Sequence, residues 1–239
     1  MLCPLPEGAA ALPIAGAPRP TVGGKFFFVG ERKLYLRGVS YGPFGTADHG
    51  FPFPRRQVLE RDLGLIAELG ANTLRTFTVP PRWLLDRAAA HGLRVLVTVP
   101  WAQHVAFLDS KATVAQIRGT VRAAAETLAG HPALLGILVG NEIPPDMVRW
   151  YGPERVRDFL RCLAAEVKDR APDTLVSYAS FPSTEYLDVT DLVDFVSFNL
   201  YLHREHESPG ASMVAIAPSG HQSAGTRGDA RPAPTPPFT

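Results

Sequence analysis

From a first core strand ending near Ser40 to Tyr201, short apolar runs of β character alternate with amphipathic helical stretches, and this rhythm limits the fold more than any other feature. Residues 58–69 carry apolar side chains at helical spacing and stop at Gly70; NTLRTFTV follows as a strand; residues 81–91 form a helix closed by Gly92; LRVLVTV is again a strand. Residues 112–129 then give an amphipathic helix ending at Gly130, LLGILVG a buried strand, and residues 153–170 a helix with Pro153 at a first-turn position. TLVSYAS and DFVSFNLY complete the series, with a short helical turn over 183–187 between them.

Strand and helix in alternation predict parallel strands joined by right-handed crossovers, and near-continuous apolar strands such as LLGILVG suit a sheet covered on both faces. An open doubly wound sheet would carry a Gly-rich phosphate turn after its first strand. Here that turn reads SYGPFGTADHG, which is not GxGxxG and opens no helix at once. The expected fold class is therefore α/β, a (β/α)8 TIM barrel that is incomplete, with six strands counted where eight are needed. KFFFVGERKLYLRGVSY predicts an N-terminal β-hairpin turning at Gly30-Glu31. Composition divides the chain into a Pro/Ala/Gly-rich leader over 1–23, the barrel over 24–207 and a low-complexity, disordered tail over 208–239.

With 239 residues, 46% of them hydrophobic, the chain can bury one sizeable core. A net charge of +1 argues against a nucleic-acid partner, which selects a concentrated basic surface. Small molecules are the expected ligands. Cys3 and Cys162 are too few and too far apart for a disulfide framework or a zinc site, and His203, Glu205, His206 and Glu207 read as a solvated end; no cofactor and no metal is expected. The opening residues lack a basic n-region and are broken by prolines, and no apolar run approaches bilayer length, so the expectation is a cytoplasmic chain without a membrane segment.

In such barrels the working site lies at the C-terminal ends of the strands. The residues there are Ser40 and Tyr41, Arg75, Trp101, Gln103 and His104, Asn141 and Glu142, Ser180, and Asn199 and Tyr201. Glu142 is the most informative, because a carboxylate directly after LLGILVG is costly inside a barrel and cheap only at a solvated or functional rim. The alternative is a first-turn helix carboxylate. Arg75, within NTLRTF, is either a structural ion pair or a rim guanidinium. Trp101 would suit stacking on the apolar face of a sugar or simple packing; His104 alone is a weak signal. Tyr41 reads by default as a core residue with a satisfied hydroxyl, and Tyr201 stays open between core and site.

GILVGNEIP resembles the fourth-strand signature of the large superfamily of retaining glycoside hydrolases with (β/α)8 barrels, and Arg75 sits where that superfamily carries a second-strand arginine. More narrowly, KLYLRGVSYGPF, RTFTVPPRWLLD, VPWAQHVAFLD, GNEIP, FPSTEYL and FNLYL resemble a bacterial group in which such a barrel is joined to a family 2 glycosyltransferase region. The resemblance implies an oligosaccharide or polysaccharide partner. It makes Glu142 the general acid/base, with Asn141 on the sugar 2-hydroxyl, Arg75 supporting the carboxylates and Tyr201 near the nucleophile. A retaining enzyme uses two carboxyl groups about 5–5.5 Å apart. In the family the nucleophilic glutamate ends the seventh strand.

After Leu202 the sequence runs HREHESPGASMVAIAPSGHQSAGTRGDARPAPTPPFT, read as unable to fill strands seven and eight. The expectation is a truncated barrel, by a frameshift near residue 207 or with a natural interaction tail in place of the strands. Its function is then retaining hydrolysis or transfer on a β-linked glycan, or carbohydrate binding without turnover. A barrel left open also exposes strand edges, which predicts self-association.

Overall fold

The computed structural model describes residues 14, 16–45, 52–181, 187–201 and 212–218. Its centre is a curled parallel half-barrel of six strands: β4 (Gly38–Tyr41), β5 (Thr73–Thr76), β6 (Arg94–Thr98), β7 (Leu134–Asn141), β8 (Val176–Ser180) and β9 (Phe195–Tyr201). They lie in chain order, and every adjacent pair is parallel. The helices between them are α1 (Arg56–Glu68), α2 (Arg82–Ala90), α3 (Lys111–Leu128), α4 (Pro145–Tyr151) and α5 (Pro153–Arg170). Gly70, Gly92 and Gly130 stop three of these helical stretches with φ between 71° and 77°, a left-handed conformation that glycine adopts without steric cost.

Alternation along each strand sorts side chains to two faces. Leu74, Val95, Val97, Ile137, Val139 and Val176 point outward into the core shared with the helices, while Leu96, Leu138, Ala179 and Phe195 point inward. The inner face is covered by a separate antiparallel sheet of β1 (Pro20–Gly23), β2 (Phe26–Val29) and β3 (Arg32–Leu34). Phe27 of β2 meets Phe195 edge to face, ring centroids 5.2 Å apart, and Val22, Leu34 and Leu36 pack on the same cluster. The hairpin thus plugs the end of the half-barrel where the strands begin and leaves the opposite end for the site.

Three expectations need correction. The leader over 1–23 is not all outside the fold: Pro20–Gly23 is the third strand of the plug, since Thr21 and Val22 are β-formers placed opposite the hairpin. The tail over 208–239 contains β10 (Ser212–Pro218), antiparallel to β9 in full register from Ser212 opposite Tyr201 to Pro218 opposite Phe195. The run Met213-Val214-Ala215-Ile216 has β propensity that the surrounding Pro, Gly and Ser concealed. Being antiparallel, β10 extends the sheet without continuing the barrel's parallel series. Helix α4 was missed because Pro144 and Pro145 read as a break, whereas proline at a helix's first position costs nothing. The helical turn expected over 183–187 lies outside the described residues except for Leu187. No helix among the described residues is long and apolar enough to cross a membrane.

Ion pairs tie neighbouring helices together. Glu166 on α5, 6% exposed, accepts from Arg118 and Arg122 on α3, at 2.5 Å and 2.9 Å in the closest pairs, and the two guanidiniums hold its carboxyl below the usual range. Glu60 on α1 accepts from Arg87 on α2 and contacts His91 at 3.2 Å; Arg87 above all, then His91, lowers its pKa from 4.5 to about 2. Because the folded value lies below the unfolded one, this contribution is full above about pH 4.5 and fades as the pH falls toward 2. Both groups keep part of their hydration, so the contribution is modest. Glu60→Gln should flatten the fall of the thermal midpoint between pH 5 and 3; parallel midpoint–pH curves for the two proteins would remove Glu60 from the acid sensitivity.

Candidate functional site

The inner face carries a polar cluster just above the Leu96, Leu138 and Ala179 layer. Arg75 of β5, 5% exposed, is its hub. Its Nε donates to Thr98 Oγ1 of β6 at 3.2 Å, Nη1 to Asn199 Oδ1 of β9 at 2.7 Å, and Nη2 to Asn141 Oδ1 of β7 at 2.6 Å. Asn199 Nδ2 closes the ring by donating to Asn141 Oδ1 at 3.0 Å. These bonds leave each amide one orientation. Asn141 must present its NH2 group toward the Glu142 carboxylate, 3.5 Å away.

The direction of Asn141 depends on a local irregularity. Leu138 pairs with Ser177 and Asn141 with Ala179, three residues on β7 against two on β8, so β7 holds one extra residue. That bulge changes the facing of the strand: Val139 and Gly140 both turn toward the outer side, and Asn141 turns in to Arg75. Trp101 supports it. Its Nε1 donates to the Val139 carbonyl at 2.8 Å, and a Cβ on Gly140 would stand only 3.0 Å from the indole. Any larger residue there would press the indole back by a few tenths of an ångström.

Glu142 follows with φ 50°, the one non-glycine residue among the described residues in the left-handed region. Its amide donates to the Ala179 carbonyl at 2.8 Å, and the next amide, Ile143, donates to the Tyr178 hydroxyl at 2.7 Å. Tyr178 is fully buried; burial raises its pKa, and the nearby Glu142 charge raises it further, so the hydroxyl stays neutral. The carboxylate-bearing residue is therefore pinned on both sides in a conformation it would not choose alone. Glu142 is not a first-turn helix carboxylate either, since α4 begins at Pro145 and the acidic residue in its first turn is Asp146.

Of the residues singled out in the sequence, Arg75, Asn141, Glu142 and Asn199 come together. Trp101 lies beside them as a support: its ring edges meet Phe107 and Phe159 at centroid distances of 5.1 Å and 5.8 Å, so its described contacts are structural. His104 is exposed on the loop after β6. Tyr41 faces the helices, where its hydroxyl donates to Asp62 at 2.8 Å; burial and then Asp62 push its pKa up. Tyr201 ends β9, whose backbone is described there. Thr98 and Tyr178 were missed. Thr98 was hidden inside an apolar strand, though it falls two residues after inward Leu96. Tyr178 gave no signal, because its role depends on the turn of a different strand. Of the residues that end or directly follow the six parallel strands, Glu142 alone is acidic. No cluster of metal-ligating residues occurs among the described residues.

No family model matches the chain. It is similar to the 1,3-beta-glucanosyltransferase gel1 of Aspergillus fumigatus, 41% identical over 59 residues covering 25% of this chain and 13% of that protein. It is also similar to PGA4 of Candida albicans, 27% identical over 64% of this chain and 36% of that one, and to GAS4 of Saccharomyces cerevisiae, 27% identical over 76% and 42%; both are 1,3-beta-glucanosyltransferases. The chain thus spans less than half the length of these curated relatives. Among solved structures it resembles beta-glucuronidase 2 of Bacteroides uniformis, with TM-score 0.64, 21% identity, and coverage of 76% of this chain and 22% of that one. It likewise resembles Gas2 in complex with compound 10, with TM-score 0.64, 17% identity, and coverage of 82% and 49%. At these identities the likeness establishes the fold alone, a barrel-type arrangement of which the described residues form six parallel strands.

Proposed function

We propose that the chain handles a β-linked glucan at the C-terminal ends of its strands, with Glu142 as the acid/base of a retaining reaction. The observation that carries this reading is the Asn141–Glu142 pair at the bulged end of β7, keyed to Arg75 and Asn199. The names of the curated relatives support a 1,3-β-glucan as the substrate class. The shared strings from KLYLRGVSYGPF to FNLYL support the narrower reading of a barrel that works beside a family 2 glycosyltransferase region.

In the reaction, Glu142 gives its proton to the glycosidic oxygen as the bond from that oxygen to the anomeric carbon breaks and a carboxylate forms an ester to the same carbon. It then takes a proton from water or from an acceptor hydroxyl, whose oxygen displaces the ester. Asn141, with its NH2 group aimed toward the rim, would donate to the sugar 2-hydroxyl. The described ends of the six parallel strands carry one of the two carboxyl groups that this reaction uses. A second reading is glycan binding without turnover, and both readings share the same binding surface.

Titrating the chain calorimetrically with a 1,3-β-glucan oligosaccharide tests that shared surface. Binding should be at least about tenfold weaker in Asn141→Ala, which removes a directed hydrogen bond. An α-1,4-glucan of equal length should bind no better than the variant does. Equal affinity for the two glucans, or no β-glucan binding at all, would sink both readings.

A further inference from the structure

The antiparallel plug has two faces of opposite character. Val22, Phe27, Leu34 and Leu36 pack into the half-barrel, so the alternate residues Phe26, Lys33, Tyr35 and Arg37 look outward, away from it. Phe26 and Tyr35 are 40% and 66% exposed, and their rings meet edge to face with centroids 6.3 Å apart. Lys33 Nζ stands 3.9 Å from the centroid of the Phe26 ring. Backbone bonds fix the segment that carries Tyr35 and Arg37: Asn72 Nδ2 donates to the Tyr35 carbonyl at 2.8 Å, and the Arg37 amide donates to Asn72 Oδ1 at 2.9 Å. Charge is concentrated on the same hairpin. Residues 25–37 hold Lys25, Arg32, Lys33 and Arg37 against Glu31 alone, in a chain whose net charge is +1. Glu31 lies in the turn between β2 and β3, at the far end of the hairpin from Lys25, Phe26 and Tyr35.

We propose that this outer face of the plug docks on a bilayer surface rich in anionic lipid. Exposed aromatic rings beside cations match such an interface in both its parts: phenyl and phenol groups settle at the level of the headgroups, and Lys25, Lys33 and Arg37 meet the lipid phosphates. The ring geometry disfavours stacking on a sugar or a base, because Lys33 covers one face of Phe26 and Tyr35 is turned 70° from it, which leaves no flat platform. What the pair offers is apolar bulk and a hydroxyl. Docked in this way, the chain presents Asn141 and Glu142 on the side away from the bilayer, since the plug covers the end where the parallel strands begin.

Co-sedimentation of the full chain with vesicles of phosphatidylglycerol and phosphatidylcholine in equal parts reads the affinity. The expected result is binding that weakens with added salt and is lost on vesicles of phosphatidylcholine alone. Lys33→Ala/Arg37→Ala should weaken it at least about tenfold, since each Lys or Arg near an anionic surface contributes about fivefold. Tyr35→Ala should weaken it about threefold through the lost apolar contact. Lys111→Ala/Arg149→Ala removes the same charge from exposed positions on α3 and α4 and should stay within about twofold of the original. No binding to the anionic vesicles, equal binding to phosphatidylcholine alone, or equal losses in the two double variants would overturn the proposal. Binding to soluble polyglutamate as tight as to the vesicles would overturn it too, and would give the face to an acidic protein.

Discussion

Arg75→Met is expected to lower the unfolding free energy by about 3 kcal/mol, the largest loss for any single inner-face substitution. Methionine fills much of the same volume but leaves Thr98 Oγ1 and Asn199 Oδ1 without their Arg75 donors and leaves Asn141 Oδ1 with the Asn199 amide alone. Each buried acceptor so abandoned costs about 1–3 kcal/mol, less whatever water recovers at the open side of the half-barrel. Arg75→Lys should recover little, because an ammonium cannot reach three strands with one planar fork. Urea denaturation checks both. A loss below about 1 kcal/mol for Arg75→Met would mean that the strands hold their spacing without this hub.

Glu142→Asn should move stability the other way, raising it by about 1 kcal/mol, because asparagine tolerates the left-handed backbone that glutamate is forced into. The same substitution should lower any glycan turnover by about a thousandfold, the usual weight of a general acid/base. Opposite signs in stability and activity are the signature of a residue kept in strain for chemistry. A destabilised Glu142→Asn would show that the carboxylate is itself part of the packing, and would weaken its assignment to catalysis. Tyr178 and Ala179 hold the surrounding turn in either case.

How much of this was legible in advance depends on how local the cause is. Helix α5 was read to the residue, since Pro153 and the apolar spacing act within one segment, and the six parallel strands follow from runs such as LLGILVG that need burial on both faces. Glu142 was legible for the same reason, a carboxylate at the end of an apolar strand. What resisted reading is set between segments. The bulge at Val139–Gly140 is matched by Trp101, 38 residues before Val139, which occupies the space beside Gly140 and binds the Val139 carbonyl. The Arg75 ring draws on four strands, the outermost partner 124 residues away. β10 was lost because its β-forming run is shorter than the Pro- and Gly-rich context around it. Tyr41, counted among the substrate-binding candidates as well as read as a core residue, faces the helices, and nothing at Tyr41 signals Asp62 on a later helix.

Glu142 is proposed as the acid/base of a barrel whose described parallel strand ends provide one carboxylate. Hydrolysis of aryl β-glucosides by the chain and by Glu142→Gln, each with and without added azide or formate, tests it most directly, because a small anion can stand in for a carboxylate nucleophile. The account predicts turnover that appears or rises with the anion in the unaltered chain and is lost in Glu142→Gln. Turnover in both proteins at the same rate would contradict it, since the carboxylate at the end of β7 would then take no part in the chemistry.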